Sequence, residues 1–149
     1  MQMASLQQRL VLSQDELRKV VEEHPQLLSY SWEDNLQPTL DALQQRLGLS
    51  QDELRKVVVG LPSLLGCSWE GNLQPKLRLL GREFGETALK QAVLQCPPLL
   101  GYSQSKRFEP RVGQARAAGV ELTRVLLVAM GVSTAEKWES RMARAESSH

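Results

Sequence analysis

Leu36, Leu40, Leu43 and Leu47 recur at i, i+4, i+7 and i+11, and so do Leu73, Leu77, Leu80 and Phe84. Phe108, Val112 and Ala115 repeat the spacing in shorter form. Such positions fall on one stripe of a helix, so three amphipathic helices are predicted here. A second kind of segment precedes the first two. Leu17, Val20 and Val21 share one face while Arg18, Lys19 and Glu22 point elsewhere. Ser13 with Glu16 spells a capping box, and Ser50 with Glu53 spells it again; acidic residues in the first turn also suit the positive end of the helix dipole. Pro25 ends the first of these helices near Glu23, and the second runs from Ser50 to about Gly60, before Pro62. Between the two kinds of helix stands "PQLL", "PSLL" or "PPLL", which suits one tight 3₁₀ turn. Its leucine pair, Leu27 and Leu28 in the first case, can plug the end of the helical pair. The start of the long helices has two readings: Asn35 caps the main helix, or a first turn from Ser31 bends at Pro38.

These elements form an internal repeat. Leu6–Val21 and Leu43–Val58 differ only in Val11 against Gly48, a shift of 37 residues. The shift holds for Pro25 and Pro62, Trp32 and Trp69, Asn35 and Asn72, and Pro38 and Pro75. A diverged third copy follows 35 residues on, with "QCPPLLGYS" from Gln95 and Pro110 in the slot of Pro75. A period of this length points to stacked helical pairs. The expected fold is therefore all-α: an α-solenoid of helix–helix–3₁₀ repeats at about 12–48, 49–83 and 84–118, with a helical cap at 119–149, in one domain. In the cap, "VELTRVLLVAMGV" reads as a first helix without its plug, and a last helix follows Ser133 or Thr134 as N-cap, with Glu136 in its first turn. Because Leu6–Leu10 match the end of a second helix, the chain is expected to be truncated inside a repeat.

Composition narrows the chemistry. The 42% apolar content comes mostly from Leu and Val, since only seven residues are aromatic. No apolar run reaches the length of a membrane span, and "MQMASLQQRL" lacks the apolar core of a secretory signal. Cys67 and Cys96 share repeat slots with Tyr30, Tyr102, His24 and Leu61, so they read as packing residues ahead of a disulfide or metal pair. There is no glycine-rich phosphate loop, nucleophile elbow or metal spacing. The carboxylate pairs Asp15-Glu16 and Asp52-Glu53 are explained by capping. No enzyme activity, cofactor, metal or small-molecule substrate is expected. The net charge of +1 is unevenly spread. Residues 1–74 hold six Lys/Arg against ten Asp/Glu, a net of −4, whereas residues 75–149 hold twelve against seven, a net of +5. That asymmetry suggests a polyanion partner for the second half.

Leu49-Ser50-Gln51-Asp52-Glu53-Leu54, Pro62-Ser63-Leu64-Leu65 and Ser68 through Leu77 together resemble the repeat of the mitochondrial transcription termination factor (mTERF) family. The resemblance covers residues 6–118 closely and the tail loosely. It implies a non-enzymatic factor of the mitochondrion or chloroplast that binds double-stranded DNA or structured RNA and acts in transcription termination or regulation. An RNA-binding splicing or ribosome-assembly factor is the nearest alternative. A curved stack of helices can follow a duplex while Lys and Arg contact phosphates. On that reading the candidate binding residues are Lys76, Arg78, Arg82, Lys106, Arg107, Arg111, Arg116 and Arg124. Lys76, Arg111 and Thr39 occupy the same slot in the three copies. Trp32 and Trp69 sit in a fixed slot that favours packing over base stacking. Arg18, Lys19, Arg55 and Lys56 are expected to pair with nearby carboxylates. A monomer is expected. A protein-binding solenoid is the rival reading, favoured by the near-neutral total and the acidic first half.

Overall fold

The computed structural model describes residues 2–147, the side chain of Gln2 excepted. All regular structure among them is helical. The chain divides into two compact units between Leu73 and Gln74. This boundary falls where the charge changes sign, because Gln74 is neutral.

The first unit contains α1 (Gln2–Leu10), α2 (Gln14–Glu23), α3 (Gln37–Leu47) and α4 (Gln51–Gly60). Both capping boxes form: the Ser13 hydroxyl accepts from the Glu16 amide while the Glu16 carboxylate accepts from the Ser13 amide, and Ser50 and Glu53 do the same. The Pro-x-Leu-Leu segments are 3₁₀ turns at Pro25–Ser29 and Pro62–Gly66. Ser31 starts the long helix. It caps a π-helical turn, Trp32–Leu36, that runs into α3 with Pro38 in the first turn. In that wide turn the Leu36 amide reaches the Ser31 carbonyl, and Asn35 Oδ1 accepts from the Ser31 amide. Of the two N-terminal readings, the turn from Ser31 is the one adopted. A proline has no amide to give, so the chain can widen here without losing a bond at residue 38.

Packing joins copy to copy within this unit. α2 lies on α4 and on the 62–66 turn, α1 lies on α4, and the 25–29 turn lies on the 62–66 turn. Leu6, Leu10, Val20, Leu27, Leu36, Leu40, Leu43, Leu54, Val57, Val58 and Leu64 are fully buried between them. Arg9 of α1 donates to Gln51 Oε1 (3.0 Å), Asp41 Oδ1 (3.1 Å) and Gln44 Oε1 (2.6 Å). The plug reading needs one correction. Leu27 is buried but Leu28 is 56% exposed, whereas Leu64 and Leu65 are both buried. The turns of copy one cover the 62–66 plug.

The one substitution between the sixteen-residue copies sits at a left-handed backbone position. Gly48 has φ +63° and closes α3 with the Leu49 amide bonded to the Gln44 carbonyl. Val11 holds φ +55° at the end of α1 with the matching Leu12–Gln7 bond. Glycine adopts this helix-ending conformation freely, and a β-branched residue is strained in it.

The second unit contains α5 (Gln74–Phe84), α6 (Glu86–Gln95), α7 (Glu109–Ala117), α8 (Arg124–Val132) and α9 (Ala135–Ser147). A 3₁₀ turn at Pro97–Gly101 and a π-helical turn at Gln104–Phe108 link α6 to α7. α6 packs on α5 and α8, and α8 also lies on both turns. Phe108, Leu99, Leu100, Leu127, Met130 and Trp138 form the centre of its core. Gly131 permits the close approach of α8: a Cβ there would lie 2.0 Å from Leu99 Cδ2. Thr134, not Ser133, caps α9 by accepting from the Lys137 amide. The Trp138 indole donates to Gln114 Oε1 at 2.7 Å and ties α9 to α7.

Candidate nucleic-acid interface

The eight basic candidates all lie in the second unit, but they fall into different environments. Arg78 and Arg82 are exposed one turn apart on α5, turned away from buried Leu77 and Leu80. Lys106 is exposed on the 104–108 turn, against which α5 packs. These three exposed cations stand on adjoining elements.

Arg82 and Arg116 share Glu83. Arg82 lies 3.4 Å from its carboxylate, and Arg116 binds it through two guanidinium nitrogens. The Arg116 hydrogen bond holds the Glu83 carboxyl below its usual 4.5, against the opposing effect of burial. Arg124 is half-buried and donates to Gln95 Oε1. Arg107 is half-buried, donates to the Gly131 carbonyl and lies 4.4 Å above the Tyr102 ring.

Lys76 and Arg111 turn inward. Lys76 is 2% exposed and its ammonium donates to the Leu100 carbonyl at 2.6 Å. Arg111 is 8% exposed and donates to the Met130 and Ser133 carbonyls at 2.7 and 2.8 Å. These carbonyls sit at the end of α8, where helical acceptors lack intrahelical partners and a positive charge meets the negative end of the dipole. Burial and the neighbouring Arg107 pull the Arg111 pKa below the ordinary arginine value, opposed by Glu139. Its guanidinium also lies 5.5 Å from the Trp138 ring. Neither side chain is placed to reach a phosphate. The pattern held a signal for this: residues 76 and 111 follow Leu73 and Phe108 by three, which places them on the buried stripe.

The remaining polar residues behave as local chemistry dictates. Arg55 bridges Asp52 and Glu16, Lys56 lies 3.5 Å from Asp52 and Arg18 lies 4.0 Å from Asp15. The His24 ring meets the Tyr30 hydroxyl at 3.0 Å. Cys67 and Cys96 are half-buried thiols, and the Cys67 thiol donates to the Ser63 carbonyl at 3.6 Å. Among the described residues no acid, cysteine and histidine group could hold a metal, and no helix is long and apolar enough to cross a membrane.

The helix, Pro-x-Leu-Leu turn and Ser-capped π turn recur at fixed spacing, and the family model for mTERF matches residues 1–137 of the 149. The chain belongs to the mTERF family. Its all-α helical-repeat class follows from both findings. As a family, mTERF proteins are nucleic-acid-binding factors of organellar gene expression and are generally not enzymes. Comparison with curated proteins and comparison with solved structures each gave no match.

Proposed function

We propose that this mTERF chain binds double-stranded DNA in a mitochondrion or chloroplast and regulates or terminates transcription there. The supporting observation is the coincidence of the compact second unit with the net charge of +5, and the exposure of Arg78, Arg82 and Lys106 on adjoining elements. In this reading those three side chains grip phosphates, Arg116 and Arg124 contribute once released from Glu83 and Gln95, and Arg107 stays on Tyr102. Lys76 and Arg111 hold the repeats. Backbone contacts of this kind set affinity and register, while sequence preference needs further contacts to base edges.

The test is a salt series on a random-sequence duplex and on a structured RNA. Each phosphate neutralised contributes about −0.9 to the log–log slope on B-DNA. Arg78→Gln, Arg82→Gln and Lys106→Gln combined are expected to flatten the slope by about 2 to 3. Arg18→Gln with Lys56→Gln in the acidic unit is the control and is expected to leave it in place. An unchanged slope in the triple variant would remove this site. Tighter binding to RNA than to the duplex would reassign the target to structured RNA.

A further inference from the structure

Positions 39, 76 and 111 are one repeat slot, and among the described residues they are the three buried polar positions of the core. Two of them carry a cation that reaches main-chain carbonyls: Lys76 to Leu100, and Arg111 to Met130 and Ser133. The third carries Thr39, whose side chain is too short for that span. Beside it, within the first unit, a cavity of about 490 Å³ opens, lined by Tyr30, Asp34, Thr39, Leu65, Trp69 and Glu70 among others. Leu65 is the repeat counterpart of Leu100, the residue whose carbonyl accepts from Lys76. Thr39 is more than nine-tenths buried.

The surrounding charges are complementary to a missing cation. Asp34 and Glu70 line the Thr39 cavity, and the repeat places Gly71 and Ser105 at the same positions around Lys76. The copy that supplies its own ammonium has neither acid, and the copy that lacks one has both. Tyr30 and Trp69 add aromatic walls; Arg111 beside Trp138 shows a cation of this slot near an aromatic face. Two carboxylates and two aromatic rings around a partly enclosed space attract a positive group that retains some hydrogen bonding.

We infer that this cavity is an open cation slot that takes a primary ammonium or a guanidinium group from outside the chain. Such a group comes from a free alkylamine or from a lysine or arginine side chain of a partner. The inference stands apart from nucleic-acid binding, since it concerns the acidic unit and a ligand of opposite charge.

The experiment is an NMR titration of the whole chain that follows the Trp69 indole resonance. n-Butylammonium, n-butylguanidinium and an acetyl-Gly-Lys-Gly-amide peptide are the probes, and neutral n-pentanol is the control. The cations are expected to give saturable shifts that pentanol does not. Thr39→Lys should place an internal ammonium in the slot and abolish the shifts. Asp34→Asn with Glu70→Gln, at exposed positions that leave the core intact, should weaken binding about fivefold. Tighter binding of the peptide than of n-butylammonium would assign the source to a partner side chain; equal binding would assign it to a small amine. Shifts of equal size with pentanol, no saturation with any cation, or full binding by the Asp34→Asn, Glu70→Gln variant would overturn the inference.

Discussion

The two units treat the same repeat slot in opposite ways. In the second unit Lys76 and Arg111 fill it with a buried cation that bonds carbonyls of the following turn or helix. In the first, Thr39 leaves a cavity with two carboxylates at its edge. The difference is chemical, because Pro38, Pro75 and Pro110 precede the slot alike and Leu40, Leu77 and Val112 follow it alike. It also changes how the net charges are read. Of the +5 carried by the second unit, two charges lie inside, so three remain for the surface. Burial therefore separates the charges that hold the unit together from those left on its surface.

Substitutions at the slot test that contrast most strongly. Arg111→Met removes the donor to two carbonyls at the end of α8 and is expected to cost about 3 kcal/mol in urea unfolding. Lys76→Met is expected to cost about 2 kcal/mol, and Thr39→Ala less than about 0.5 kcal/mol. A Thr39→Ala loss as large as that of Lys76→Met would break the comparison. None of the three should change the salt slope of nucleic-acid binding, as read on variants still folded by circular dichroism.

The near-identical copies offer a smaller test. Gly48→Val imposes on α3 the strain that α1 carries at Val11, at a cost of about 1–2 kcal/mol. Val11→Gly should relieve it and raise the unfolding midpoint by the equivalent of about 1 kcal/mol. If Val11→Gly destabilised the chain, the left-handed strain at this position would be refuted. Ser13→Ala and Ser50→Ala each remove one capping box and should each cost about 1 kcal/mol. Equal costs would confirm that the copies are locally interchangeable.

The smallest expected effect is on acid stability. Glu83, Glu16 and Asp52 all have carboxyls held below their usual values, Glu83 first by the Arg116 hydrogen bond, Glu16 first by the Ser13 amide and Asp52 first by the Arg55 hydrogen bond. A depressed folded-state pKa gives stability that is present above the usual 4.5 or 3.8 and is lost as pH falls through the lower folded value. Glu83→Gln should therefore lower stability at neutral pH and flatten its decline in acid. An acid limb unchanged by this substitution would show that the Glu83–Arg116 pair contributes nothing to folding.

The sequence alone determined the helices, their caps, the 3₁₀ turns and the repeat, because these depend on neighbours a few residues apart: Ser13 with Glu16, Pro62 with Leu64, Leu36 with Leu40. It also showed where the charge changes sign. Tertiary structure decided what each charge does. Arg78 and Lys76 are two residues apart on α5, yet one faces water and the other a carbonyl 24 residues away. A helix turns about 100° per residue, so two residues can separate solvent from core, and only the packed neighbour shows which side holds an acceptor. The exposure of Leu28 and the cavity beside Thr39 belong to the same class. Each depends on what another segment of its unit places, or fails to place, against it.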